Sequence, residues 1–247
     1  HQLQLLEFDY FRNKTASTGQ LISENSVSIL LTILIIIASI GIVVKISRFL
    51  KYLKFMKTNP TFFFHQKNAL LKESIMSKLI KTKTYTKQFT FNIWANINQY
   101  NYKRAQSKMI FCMVPPWSKK ILKNISEEDV KKNQQPGVWF EPYTNNIRVT
   151  LLTNNNQKKQ LESCLIYDVP INEWFLFSIT LNNRGLDIYM NGKLVRTVVL
   201  SGDPTITQGN ILVNYFGGFS GEIQKLQYSS KSFTPEQIQK IYIVQIK

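Results

Sequence analysis

The chain has 247 residues, which is enough for one membrane span and one substantial domain. Its 31 Lys and Arg residues outnumber its 15 Asp and Glu residues, which gives a formal net charge of +16. Two cysteines and two histidines exclude a disulfide scaffold, a zinc finger and a histidine-rich metal site. Cys112 and Cys164 are expected to be buried in strands, although a single disulfide between them is an open alternative.

An uncharged run extends from Asn25 to Val44. A helix of about 20 residues rises about 30 Å, which is the thickness of the hydrocarbon core of a bilayer. We therefore predict a single transmembrane helix at residues 25–45, preceded by an N-terminal arm at residues 1–24.

Basic residues follow this run directly: Lys45, Arg48, Lys51, Lys54 and Lys57. Such residues mark the cytoplasmic or matrix side of a span and attract anionic headgroups, so we place the C-terminal domain on that side. Nucleic acid is the rival partner for a basic chain. The excess charge lies beside the span and no nucleic-acid-binding motif accompanies it. The lipid bilayer is therefore the expected partner, and nucleic acid is not.

Residues 46–85 read as a basic amphipathic linker. Apolar residues recur at helical spacing from Leu70 to Ile80, with Lys72, Lys78 and Lys81 on the other face. We predict a short amphipathic helix here, with these three lysines as candidate contacts to a partner.

At Phe89 the pattern changes from helical spacing to alternation of apolar and polar residues. Short strand-like runs separated by Asn, Gly and Pro clusters then predict an antiparallel β-sandwich over residues 86–247. Asn191-Gly192 between two alternating runs predicts a type I′ hairpin turn. Thr234-Pro235-Glu236-Gln237 predicts the start of a C-terminal helix.

Several segments of this region resemble the concanavalin A-like, laminin-G-type jelly roll. They are Val169–Phe175, Leu186–Val195, Gly218–Ile223 and Thr234–Ile238, and the resemblance covers roughly residues 86–243. An N-terminal span before such a domain, with a Pro136–Trp139 segment, is also similar to membrane-anchored laminin-G-like proteins of protists and large DNA viruses. Met113–Gln135 departs from the pattern and looks like an insertion. The resemblance implies a mainly β fold and admits glycanases, calcium-dependent lectins and modules that are neither.

The residues of the domain do not suggest an enzyme. A retaining glycosidase needs two carboxyl groups about 5 Å apart, but the Glu-x-Asp motif of this chain, Glu7-Phe8-Asp9, lies outside the domain. Asp168, Asp187 and Asp203 are the candidates for a calcium site. The alternative, that each caps a turn or stands in solvent, is preferred, so we expect no metal and no cofactor.

Trp94 and Trp174 are expected in the core, and Trp117 is the expected exposed anchor for a partner.

Two functions from different classes follow. The favoured one is a non-catalytic accessory subunit of a larger membrane complex, with the sandwich making protein–protein contacts. Basic charge and few cysteines favour the mitochondrial inner membrane. Abundant Gln, Asn, Lys and Ile resemble the composition of nuclear-encoded proteins of AT-rich protists, which disfavours a viral source. A minor capsid or inner-membrane protein of a large DNA virus is the alternative. The second function is a lectin-like module that binds glycans at the rim of the sandwich.

Overall fold

The computed structural model describes residues 26, 28–51, 62, 65–76, 87–205 and 209–245. The predicted N-terminal arm and the candidate residues Lys54, Lys57, Lys78 and Lys81 lie outside this described part. The chain divides into two compact units, residues 1–55 and 56–247.

The first unit contains helix α1 (Ser28–Lys51). By length and composition, it is the one helix of the described residues that could cross a membrane. The helix continues beyond the predicted end of the span at residue 45. Lys45, Arg48 and Lys51 therefore lie on its last two turns, where all three are exposed.

The second unit is built mainly from antiparallel strands in two sheets. The first sheet has the order β1-β13-β3-β8-β9-β10, and the second has the order β11-β6-β5-β4-β12-β2, with β7 paired to β6. The strands are β1 (Lys67–Asn68), β2 (Glu73–Ile75), β3 (Gln88–Gln99), β4 (Lys108–Val114), β5 (Gly137–Phe140), β6 (Ile147–Asn155), β7 (Lys158–Ile166), β8 (Trp174–Asn182), β9 (Gly185–Met190), β10 (Lys193–Val199), β11 (Asp203–Pro204), β12 (Asn210–Val213) and β13 (Ser220–Ser229).

The main core lies between the two sheets, and alternation along the strands selects its members. Phe89, Phe91 and Ile93 of β3 point into it from the first sheet, and Val149 and Leu151 of β6 point into it from the second. The prediction of a mainly β sandwich is thereby confirmed. Cys112 and Cys164 are buried free thiols in β4 and β7, which confirms the expectation that they are strand residues.

The linker prediction needs a correction between Lys67 and Ile75. Instead of an amphipathic helix, this segment forms β1 and β2, because Lys67 pairs with Ile223 and Ile75 pairs with Ile211. The Phe62 N–H also donates to the Leu226 carbonyl at 2.7 Å. Residues assigned to the linker therefore belong to the sandwich.

The segment that departs from the jelly-roll pattern contains helices α2 (Lys119–Lys123) and α3 (Glu127–Asn133). The side chains of Ser118 and Ser126 cap them by accepting from the N–H groups of Ile121 and Asp129. A second apolar cluster joins these helices to the second sheet. It contains Met109, Cys112, Val114, Leu122, Val130, Trp139, Leu212 and Tyr215.

The C-terminal helix α4 (Pro235–Gln245) starts as predicted. Thr234 and Gln237 exchange side-chain-to-backbone hydrogen bonds of 2.9 and 3.4 Å, which is a capping box. Trp94 is buried, as expected of a core residue, with 3% of its surface exposed. It lies on the face of β3 opposite the main core, since its chain neighbours Ile93 and Ala95 point into that core. Its ring stacks on Tyr242 of α4 with centroids 5.8 Å apart. Trp174 is half-buried at the start of β8.

Candidate functional site

Three exposed tyrosines, which we call the tyrosine rim, lie on adjoining loops at one end of the sandwich. Tyr100 directly follows β3, Tyr143 lies between β5 and β6, and Tyr167 directly follows β7. Their exposed fractions are 42%, 61% and 60%. Tyrosine offers a large, rigid and amphipathic surface at low entropic cost, so it is a common anchor of binding loops.

Backbone and amide hydrogen bonds tie these loops to one another. The Tyr143 N–H donates to the Arg104 carbonyl at 2.7 Å, which joins the β5–β6 loop to the β3–β4 loop. The Asn145 side chain donates to the Val169 carbonyl at 3.0 Å, and the Val169 N–H donates back to the Asn145 carbonyl at 3.1 Å. The tyrosine rim therefore stands on a cross-linked base.

Each of these loops holds a residue other than glycine in the left-handed region. Lys103, Tyr143, Asp168 and Asn172 have φ values of 47°, 63°, 55° and 60°. Such backbone costs on the order of 1 kcal/mol or more per residue and often clusters at binding sites. Tyr143 is the informative case, because an aromatic residue has no special tolerance for this conformation.

An ion pair lies beside the tyrosine rim. The Arg148 guanidinium donates to both oxygens of Glu141, at 2.6 and 2.8 Å, and also to Ser163 Oγ at 3.2 Å. The paired carboxylate raises the pKa of Arg148 above its ordinary value. Because the contact is bidentate, it fixes the start of β6 against the end of β5.

The three aspartates predicted as calcium candidates do not come together. Asp168 lies on the β7–β8 loop, while Asp187 of β9 accepts a 2.6 Å hydrogen bond from Thr197, and Asp203 of β11 pairs with Lys87 at 2.7 Å. Lys87 lowers the pKa of Asp203. Among the residues that the structure describes, no group of three His, Cys, Asp or Glu side chains could hold a metal ion. As the described part of the chain places them, these three aspartates do not fit the calcium site of a lectin.

The predicted contact residues occupy other places. Trp117 is half-buried against the second apolar cluster, and its carbonyl accepts from the Asn210 side chain at 2.7 Å, so the expectation of a freely exposed anchor is corrected. Lys72 is exposed, with Nζ 5.7 Å from the centre of the Tyr215 ring. Their role in binding a partner stays a prediction.

Sequence reasoning missed the tyrosine rim. Its members stand 43 and 24 positions apart in the chain, and none lies in a motif. The available signal was the presence of three tyrosines beside turn-forming residues. The strand order had to be known before these turns could be placed at the same end of the sandwich.

An open groove of about 610 Å³ lies between α3 and strands β6 and β7, over Leu152 and Leu161. Its lysines Lys131 and Lys132 are paired with Glu127 and Glu128, each at 2.6 Å. Since these charges are already neutralised, the groove makes a weaker case for a binding site than the tyrosine rim.

The comparisons with known proteins agree with this architecture. The family model of the concanavalin A-like lectin/glucanases superfamily, of the laminin-G type, matches residues 75–239. The chain therefore belongs to this superfamily. Comparison with curated proteins gives no match.

Solved structures with the same fold include receptor-binding domains of botulinum neurotoxins. For the mosaic serotype C/D domain, the TM-score is 0.52 at 17% identity, over 73% of this chain and 42% of that one. For the serotype D domain, the TM-score is 0.49 at 18% identity, over 67% of this chain and 40% of that one. The chain thus spans about two fifths of these receptor-binding-domain chains. At 17% identity the likeness to the mosaic serotype C/D domain concerns the fold alone.

Proposed function

We propose that this protein is a non-catalytic, membrane-anchored binding module that holds a partner protein of a larger membrane complex through the tyrosine rim. The observation that carries the proposal is the set of three exposed tyrosines on hydrogen-bonded loops. Exposed aromatic anchors on a rigid base are typical of the centres of protein interfaces. Helix α1 supports the anchoring part, since its length and composition suit a bilayer.

The location is a further part of the proposal. Lys45, Arg48 and Lys51 on the last turns of α1 would contact anionic headgroups, which favours the cytoplasmic or matrix side for the sandwich. The mitochondrial inner membrane stays our prediction from composition, and the inner membrane of a virion stays the alternative.

Glycan binding is the second candidate function. The superfamily includes lectins by its description, and Thr144 and Asn145 beside the exposed tyrosine rings could bond sugar hydroxyls. Ring faces that cover sugar C–H groups would complete such a site. We rank this function second because the described residues offer no calcium site.

The test compares complexes solubilised from the native membrane. A variant with Tyr100→Ala, Tyr143→Ala and Tyr167→Ala should lose its co-purifying subunits, while its thermal midpoint stays near that of the wild type because the three side chains are exposed. Leu161→Ser with Val199→Ser is the matched control, since both residues are exposed and apolar but lie outside the rim. Retention of every subunit by the tyrosine variant would refute the proposal. Saturable binding on a glycan array that the same substitutions abolish would favour the lectin.

A further inference from the structure

Helix α2 presents basic and apolar side chains together at the surface of the sandwich. Three of its five residues are lysines, Lys119, Lys120 and Lys123, and all three are exposed. Ile121 lies between them and is 49% exposed. Leu122 is the buried residue of the helix, and it joins α2 to the second apolar cluster. The four exposed side chains are therefore held on a packed base.

Apolar residues continue on both sides of this helix. Trp117 comes shortly before α2 and Ile125 comes shortly after it, and both are half-buried against the second apolar cluster. Together with the three lysines and Ile121, these two residues form what we call the α2 surface. Lysines interspersed with apolar and aromatic residues are typical of segments that lie in the interface of a bilayer.

The charges of the α2 surface are not used within the sandwich. In the part of the chain that the structure describes, no ion pair joins a lysine of α2 to a carboxylate. The carboxylates at the start of α3 are engaged by Lys131, Lys132 and the Ser126 hydroxyl, each at 2.6 Å. Lys119 also begins α2, where the positive end of the helix dipole disfavours a cation. The stability of the helix therefore does not explain its lysines.

We propose that the α2 surface docks the sandwich on an anionic lipid bilayer, with the lysines at the headgroups and Ile121 inserted between them. The proposal rests on the anchoring part of the proposed function, because a membrane anchor keeps the α2 surface at a high effective concentration of lipid. Each lysine near an anionic leaflet strengthens binding roughly fivefold, so the three together contribute on the order of 100-fold.

The composition of the α2 surface favours lipid over a macromolecule. Its fully exposed apolar part is the side chain of Ile121, which is far less than the roughly 800 Å² per partner that a stable protein interface buries. A contact of this size is sufficient when a separate anchor already holds the chain. Nucleic acid would engage the lysines through its phosphates, but it would leave Ile121 without a partner.

The experiment uses the full chain reconstituted in lipid nanodiscs. Cys112 and Cys164 are buried, so an environment-sensitive NBD fluorophore can be attached at Asn124→Cys, an exposed position at the end of α2. Its emission should increase and shift to shorter wavelength in phosphatidylcholine discs that contain about 30 mol % phosphatidylserine, and not in discs of phosphatidylcholine alone. High salt should remove the response, because it screens exposed charges.

Charge variants locate the contact. Replacing the three lysines of α2 with Gln should abolish the response to phosphatidylserine, and replacing them with Arg should retain it. Ile121→Ser should keep the salt dependence and reduce the shift in wavelength. The matched control removes the same charge from exposed lysines elsewhere on the sandwich and should respond like the wild type: Lys193→Gln, Lys231→Gln and Lys240→Gln.

Equal emission in the two kinds of disc would overturn the proposal, and so would equal losses in the α2 variant and the control. A response to added polyglutamate or RNA, without a response to phosphatidylserine, would overturn the lipid assignment in favour of an acidic protein or a nucleic acid. Co-purification separates this inference from the proposed function. If the tyrosine variant loses its subunits and the label does not respond to phosphatidylserine, this inference alone fails. If carbonate releases the wild type from native membranes and the label still responds, the anchor fails and the α2 surface stands.

Discussion

At the scale of single residues, the main core holds titratable groups that are neutral at ordinary pH. Burial raises the pKa of Tyr228 to about 12 from its ordinary value of 10.0, and burial raises the pKa of Cys164 to about 11. For a group whose folded pKa is raised, the stabilising contribution is complete below the unfolded pKa and is lost as pH rises through the folded pKa. Stability should therefore fall in strongly alkaline solution.

We predict that Tyr228→Phe reduces this alkaline loss. Between pH 10 and about 12, the wild type should lose on the order of 2 kcal/mol because Tyr228 ionises more easily in the unfolded chain. The substitution removes the phenol and keeps the ring that lies 4.9 Å from Phe91. Thermal midpoints across this pH range, with the exposed Tyr167→Phe as control, measure the effect. Parallel pH profiles for wild type and Tyr228→Phe would contradict it.

At the scale of elements, the β9–β10 hairpin shows a local signal that predicts structure well. Asn191 and Gly192 have φ values of 50° and 78°, which confirms the type I′ turn. A Cβ atom on Gly192 would lie 2.5 Å from Gln239 Oε1 and 3.1 Å from Tyr242 Cβ. The turn therefore also supports the packing of α4.

Gly192→Val should lower the free energy of unfolding by about 2 kcal/mol, because a β-branched residue resists positive φ and crowds α4. Asn183→Gly is the matched control. It lies in the β8–β9 turn with φ of 54°, where glycine carries no strain, so a change within about 0.5 kcal/mol is expected. Urea denaturation of the wild type and the two variants measures these changes in the free energy of unfolding. Equal denaturation midpoints for Gly192→Val and Asn183→Gly would argue against strain in the Gly192 variant.

Other elements could not be predicted from local pattern. β1 and β2 have two and three residues, and the spacing of Leu70, Leu71 and Ile75 fits a helix equally well. Pairing with β13 and β12 decides in favour of strands, and this pairing is tertiary information. The tyrosine rim is a similar case, because neighbours distant in sequence create the exposed cluster. By contrast, the alternation along β3 and the Thr234 capping box predicted their elements directly.

At the scale of the whole molecule, the chain joins an apolar helix to a binding-type sandwich. Each unit suits one half of the proposed function. Helix α1 would hold the protein at the membrane, and the sandwich would present its loops to a partner. The anchor can be tested apart from the rim, because substitutions in α1 leave every residue of the sandwich unchanged.

We predict that the full chain stays in the membrane pellet after alkaline carbonate extraction, whereas Ile36→Asp with Ile37→Asp moves it into the supernatant. Ile36 and Ile37 lie near the middle of the apolar part of α1, where each acidic residue costs about 3 kcal/mol on insertion. Ile36→Leu with Ile37→Leu keeps the apolar character and is the matched control. Release of the wild type by carbonate would show that α1 does not span the bilayer. Retention of the Asp variant would show that another part of the chain holds the protein there.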